Sequence, residues 1–163
     1  MFEEYKKQGF DGFKTIAELK RNDACIPEQG GVYLVLRGTL EAPKFLEIGT
    51  GGYFKKENPN VPLGELQRNW VEGADIVYIG KAGSLLSGSA TLRSRLRQLI
   101  SFGCGKKVGH RGGRYLWQLE DSNDLVVCWM PLLDEEPRDV EKELIASFKR
   151  QHSGMRPFAN LQD

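Results

Sequence analysis

The chain has 163 residues, 40% of them hydrophobic and 28% charged, with a formal net charge of +1. That length suits one domain with a real core, and the lack of a long uninterrupted apolar run argues against a membrane-spanning protein. Met1 to Lys7 carries early acids and no apolar stretch before a small-residue cleavage site, so it does not fit a signal peptide and a cytoplasmic protein is expected.

Thr15 followed by Glu18 forms a capping-box pattern for a short helix carrying Ile16 and Leu19. Pro27 to Gly31 reads as a loop. Val32 to Leu36 is a β-branched and aromatic strand, and Lys44 to Ile48 is expected to return antiparallel to it as a hairpin. From Gly49 to Gly73, with Pro59 and Pro62, no clean period holds; the stretch reads as an insertion with a helical turn around Leu66 to Val71. Strand structure resumes over Ile76 to Ile79. Thr91 caps a helix in which Leu92, Leu96, Leu99 and Ile100 recur at helical spacing, ended by Gly103 and Gly105. A basic loop, a strand over Leu125 to Met130 and a long helix complete the chain, the helix opened by Pro137 and ended by Gly154 and Pro157. The order predicts an α/β domain in which a small, mostly antiparallel or mixed sheet is flanked by helices. Residues 1–163 form a single domain in this reading, with 1–29 as a helical N-terminal extension, 30–160 as the core and 49–73 as the insertion.

Cys25, Cys104 and Cys128 are odd in number and form no Cys-x-x-Cys pair, which suits reduced thiols. With only His110 and His152 present, multi-histidine metal sites are excluded and any metal needs oxygen ligands. From Ile76 through Leu119 there is no Asp or Glu, whereas Lys81, Arg93, Arg95, Arg97, Lys106, Lys107, Arg111 and Arg114 fall inside that span. Such a block is a solvated basic face or the footprint of a phosphate-backbone binder. Gly109 to Arg114 joins backbone freedom to cations suited to a phosphodiester, and Trp117 either stacks on a base or fills the core. Gly80-Lys81 lacks the spaced upstream glycine and following Ser or Thr of a phosphate-binding loop, so an NTPase is excluded.

In the final helix Val140, Leu144, Ile145 and Phe148 define the apolar face, with Glu141 inside it and Glu143 pointing away. A core-facing carboxylate needs a partner, either a cation in an ion pair or a metal. Arg95 flanks the stripe of Leu92, Leu96 and Leu99 and can snorkel toward a sheet-side cleft; Arg97 lies further round and Arg93 lies on the other edge.

Gly31-Val32-Tyr33 and Tyr78-Ile79-Gly80, followed by Leu92-Arg93-Ser94-Arg95-Leu96, Glu141-x-x-Leu144-Ile145 and Pro157-x-x-Asn160, together resemble the GIY-YIG nuclease family, which includes excision-repair incision subunits and homing endonucleases. The resemblance spans Gly31 to Asn160 and implies a GIY-YIG-like fold and a DNA-binding hydrolase: a metal-dependent endonuclease, with DNA repair among its settings and RNA a further possible partner. It implies that Tyr33 assists deprotonation of the attacking water, Tyr78 orients water or phosphate, Arg95 stabilises phosphoryl charge and Asn160 fixes the site. It also makes Glu141 the ligand of one Mg²⁺ or Mn²⁺. A phenol has a reference pKa of about 10 and needs a nearby cation or metal to act as a base near neutrality; Lys81 and His110 are the candidates for that help. Arg93, Arg97, Lys106, Lys107, Arg111 and Arg114 are the candidate nucleic-acid-binding residues.

The chain departs from the family pattern in the long segment between the tyrosine motifs, in an extra loop from Gly83 to Ala90, and at Leu99. Many members carry an aromatic or histidine at that last place, and His110 is the candidate replacement. Two alternatives accompany the nuclease reading. One is a catalytically inactive nucleic-acid-binding module of the same fold. The other is a protein-interaction domain using Tyr53, Phe54 and Trp70 as an exposed patch.

Overall fold

The computed structural model describes residues 1–86 and 90–162, so 87–89 of the expected extra loop lie outside the described residues. The elements run α1 (Glu3–Gln8), β1 (Asp11–Thr15), α2 (Ile16–Arg21), β2 (Gly31–Leu36), α3 (Leu63–Asn69), β3 (Ile76–Ala82), α4 (Leu92–Gly103), β4 (Val126–Pro131) and α5 (Pro137–Gln151). A 3-10 segment over Arg111–Gln118 joins α4 to β4. The strands form one sheet in the order β1-β4-β2-β3, antiparallel throughout, and helices flank it. This is a mixed α/β fold.

Every residue of β2 is buried. With successive side chains pointing to opposite faces, β2 feeds two cores. Tyr33 and Val35 join Leu92, Leu96 and Leu99 of α4 and Trp117, whereas Val32, Leu34 and Leu36 meet Ile145 and Phe148 of α5. The tyrosines and Arg95 therefore sit on the α4 side of the sheet, and α5 packs on the other.

The helix starts follow local chemistry. Thr15 accepts from the Glu18 N–H at 3.1 Å and Glu18 Oε1 accepts from the Thr15 N–H at 3.0 Å, a complete capping box for α2. Thr91 and Ser94 make the equivalent reciprocal pair for α4. Pro137 occupies the first turn of α5, where its missing N–H costs nothing.

Two expectations change. Lys44 to Ile48 is not a hairpin partner of β2, because β3 and β4 already occupy both of its sides. That segment instead runs beside the 3-10 region. Leu46 N–H donates to Gln118 O at 2.7 Å, Glu120 N–H to Lys44 O at 2.9 Å, and Phe45 bridges Leu119. The first 29 residues are also not purely helical, since β1 within them pairs with β4. Its register slips between Gly12 and Lys14, where Phe13 takes a left-handed φ of 55°.

Cys25, Cys104 and Cys128 are unbridged. Among the described residues no helix is long and apolar enough to cross a membrane.

Candidate active site

The two glycine-tyrosine motifs meet because β2 and β3 pair. Tyr33 faces Gly80 across the ladder, and Val35 faces Tyr78. Gly80 is required there: a Cβ at this position would come under 3.0 Å from Cζ, Oη and Cε1 of Tyr33, whose ring lies over it. Gly31 serves the other side of β2, where a Cβ would collide with Met130 O of β4. The Tyr33 and Tyr78 rings stand 6.1 Å apart between centroids.

A cleft of about 500 Å³ opens beside this pair. Tyr33, Tyr78 and Gly80 line it together with Lys81, Arg95 from α4 and Glu141 from α5. The side chains expected to act together are thus brought to one place from both sides of the sheet.

Asn160 is not among the residues lining the cleft. Its side-chain oxygen accepts from the Ile79 N–H and its amide donates to Ile79 O, each at 2.9 Å. It fixes the backbone between Tyr78 and Gly80, acting on the site through β3.

His110, reached through the basic segment, is 3% exposed and places Nε2 3.4 Å from Tyr33 Oη. Its ring also meets Tyr78 edge-on at 6.3 Å, and its buried Nδ1 has no hydrogen-bond partner. Burial, and then the Arg95 charge, lower its pKa to about 4, so the ring is neutral near physiological pH.

The phenols are held in the protonated form. Burial first, and then the Tyr78 hydroxyl, push Tyr33 well above the ordinary value of 10.0. Burial, followed by the Glu141 carboxylate, pushes Tyr78 up to about 12, with Arg95 pulling the other way. Burial also raises Glu141, and Lys81, Arg138 and Arg95 partly offset that through space.

Among the described residues the Glu141 carboxylate takes no hydrogen bond. A half-buried carboxylate without a donor suits one hard cation that prefers oxygen ligands. No group of three or more His, Cys, Asp or Glu gathers among the described residues to close a cage around an ion. One carboxylate would suffice for Mg²⁺ or Mn²⁺ only if water and substrate oxygens filled the rest of its shell.

The six expected nucleic-acid-binding cations separate into two groups. Lys106 and Lys107 are exposed on the loop after α4. Arg93 pairs with Glu28 at 2.6 Å, Arg97 with Asp23 at 2.6 Å and Arg111 with Glu57 at 2.9 Å. Arg114 donates to Arg111 O at 3.2 Å and lies over the Tyr115 ring. Trp117 is 1% exposed and belongs to the core, which removes it as a stacking platform. Trp70 is half-buried and packs against Phe45 and Phe158, whereas Tyr53 is exposed.

Two participants went unread in the sequence. Gln98 accepts from Arg95 at 2.6 Å, and Arg138 acts on Glu141. Each lies three residues from its partner on the same helix, a spacing that brings side chains together.

A scan of the chain against protein-family models found no match, nor did searches of curated proteins and of solved structures.

Proposed function

We propose that the chain is a metal-dependent endonuclease that hydrolyses phosphodiester bonds in DNA, with the site of a GIY-YIG nuclease. The observation that carries this reading is the convergence of Tyr33, Tyr78, Arg95 and Glu141 on one cleft, with no hydrogen bond to the Glu141 carboxylate among the described residues.

Glu141 would hold one Mg²⁺ or Mn²⁺, which when bound supplies Lewis-acid polarisation of the scissile phosphate and charge stabilisation at the leaving oxygen. The protein's own groups divide the remaining work. Arg95, steadied by Gln98, offers its guanidinium to non-bridging phosphate oxygens. Tyr78, protonated below about pH 12, orients water or phosphate by donating its hydroxyl hydrogen. Tyr33, its hydroxyl 3.4 Å from His110 Nε2, assists deprotonation of the attacking water. Asn160 positions β3 beneath these groups.

Purified protein incubated with supercoiled, branched and single-stranded DNA plus Mg²⁺ or Mn²⁺ tests the proposal. Wild type cleaves and Glu141→Ala does not; equal silence or equal activity of the two refutes the site. The 1% exposure of Tyr33 supports a second reading, a nucleic-acid-binding module without turnover. Salt-sensitive binding by both proteins, without cleavage under either metal, selects that one.

A further inference from the structure

The basic block of the sequence is narrower in space than along the chain. Arg93 also donates to Ile26 O and Ala24 O, both at 2.8 Å, and Arg97 holds Asp23 through two bonds. With Arg111 on Glu57, acids from outside the block neutralise these arginines. Lys81 and Arg95 line the cleft, and Arg138, three residues before Glu141 on α5, acts on that carboxylate through space. That set matches a short run of phosphates, below the roughly 6–10 contacts of a strongly salt-dependent duplex binder.

Apolar side chains stand beside it. Leu85, Leu86 and Leu133 are 51%, 91% and 73% exposed. They leave the sheet at the same end, because Gly31 of β2 pairs with Ala82 of β3 on one side and Pro131 of β4 on the other. Glu136 ties the two loops together: its Oε2 accepts from Ser84 Oγ at 3.1 Å and from the Leu85 N–H at 2.9 Å. Gly83 and Ser84 of the same loop line the cleft. The leucines therefore form an anchored rim at the mouth of the cationic cleft.

Exposed leucines gain by being covered. A nucleic-acid strand complements both features, with phosphates for the cations and apolar base faces for the leucines. In continuous duplex those faces are hidden within the stack. We propose, building on the nuclease reading, that Leu85, Leu86 and Leu133 cover unstacked bases beside the phosphate in the cleft, so that the substrate is a single strand or an unpaired junction strand.

Fluorescence anisotropy in EDTA, at fixed salt, compares binding of the full chain to a labelled single-stranded DNA and to the duplex of the same sequence. Wild type and the Leu86→Ser/Leu133→Ser double variant are measured side by side; both positions face solvent, and thermal unfolding confirms that the fold is kept. Wild type is expected to favour the single strand by about tenfold, and the variant to lose most of that preference while duplex binding changes by less than about twofold. The log–log salt slope on the single strand is expected near about −2, as for neutralising three phosphates. Equal wild-type affinity for the two forms, a variant that weakens both alike or neither, or no binding to either DNA overturns the rim. Adding Mg²⁺ separates the two ideas. Preferential binding without hydrolysis sinks the nuclease and keeps the rim; equal hydrolysis of duplex and single strand does the reverse.

Discussion

Replacing Gly80 with alanine is expected to weaken both stability and cleavage through one obstacle, the Tyr33 ring. The new Cβ would lie 2.7 Å from Tyr33 Cε1, and nearer still to Cζ and Oη, where ordinary contact begins at 3.4 Å. The ring must therefore retreat by about 0.7 Å or more. It has little room, being 1% exposed and bounded by Tyr78 and His110. Overpacking of this kind costs about 1–3 kcal/mol, and removing a glycine from the unfolded chain returns about 0.4–1 kcal/mol, leaving a net loss of up to about 2.6 kcal/mol. No backbone strain confuses the result, because Gly80 is not among the positive-φ residues. Urea denaturation reads the stability. A hydroxyl displaced on the order of 1 Å should also lower the cleavage rate by about 100-fold. The decisive control is the same change in a Tyr33→Ala background, where the obstacle is gone and Gly80→Ala should be neutral or stabilising. An equal cost in both backgrounds would show that the ring is not what Gly80 accommodates.

Glu141→Gln should be more stable than wild type at pH 7 in chelator while losing cleavage and Mg²⁺-dependent stabilisation. The folded carboxyl titrates above the reference 4.5, so wild-type stability falls as pH rises through the window above that value. The advantage should close below pH 4.5, and denaturation curves at both pH values check it; equal midpoints at pH 7 count against the buried site. His110 should titrate by NMR with a midpoint of about 4 in place of 6.5, so its contribution to stability wanes as pH falls across that interval. A midpoint near 6.5 would place the ring in solvent. Asn160→Ala removes both 2.9 Å bonds to Ile79 and should cost about 1–3 kcal/mol and most of the cleavage rate, with Mg²⁺ affinity unchanged by calorimetry. Loss of metal binding instead would move Asn160 into the metal's own shell.

The parts of the fold visible in the sequence are those governed by neighbours along the chain. Thr15 with Glu18, Thr91 at the head of α4 and Pro137 at the start of α5 act over a single turn, and their helices begin where expected. The inward set of Glu141 followed equally from helix geometry, and it lines the cleft. What stayed hidden depends on remote partners. Lys44 to Ile48 has strand composition, but nothing within it reveals that both sides of β2 are already taken. β1 is masked by Gly12 and by the left-handed Phe13, which break its regular pairing. A run without acids looked like a continuous basic surface because Asp23, Glu28 and Glu57, which neutralise part of it, come from distant segments. Gln118 gave no local signal of being 1% exposed, yet its side chain bonds to Leu46 O and Val61 O and accepts from the Val61 N–H.

The bonds made by residues 157–160 also bear on solubility. β3 ends the strand order, and this short segment engages backbone groups on its outer edge: Ala159 N–H donates to Val77 O at 2.8 Å, and the Asn160 side chain takes both groups of Ile79. Left bare, such a strand is a template on which a second molecule can add its own. The Pro157 to Asn160 segment is thus a guard against self-association, and a protein shortened before Pro157 would be expected to polymerise along β3 even where its core still folds.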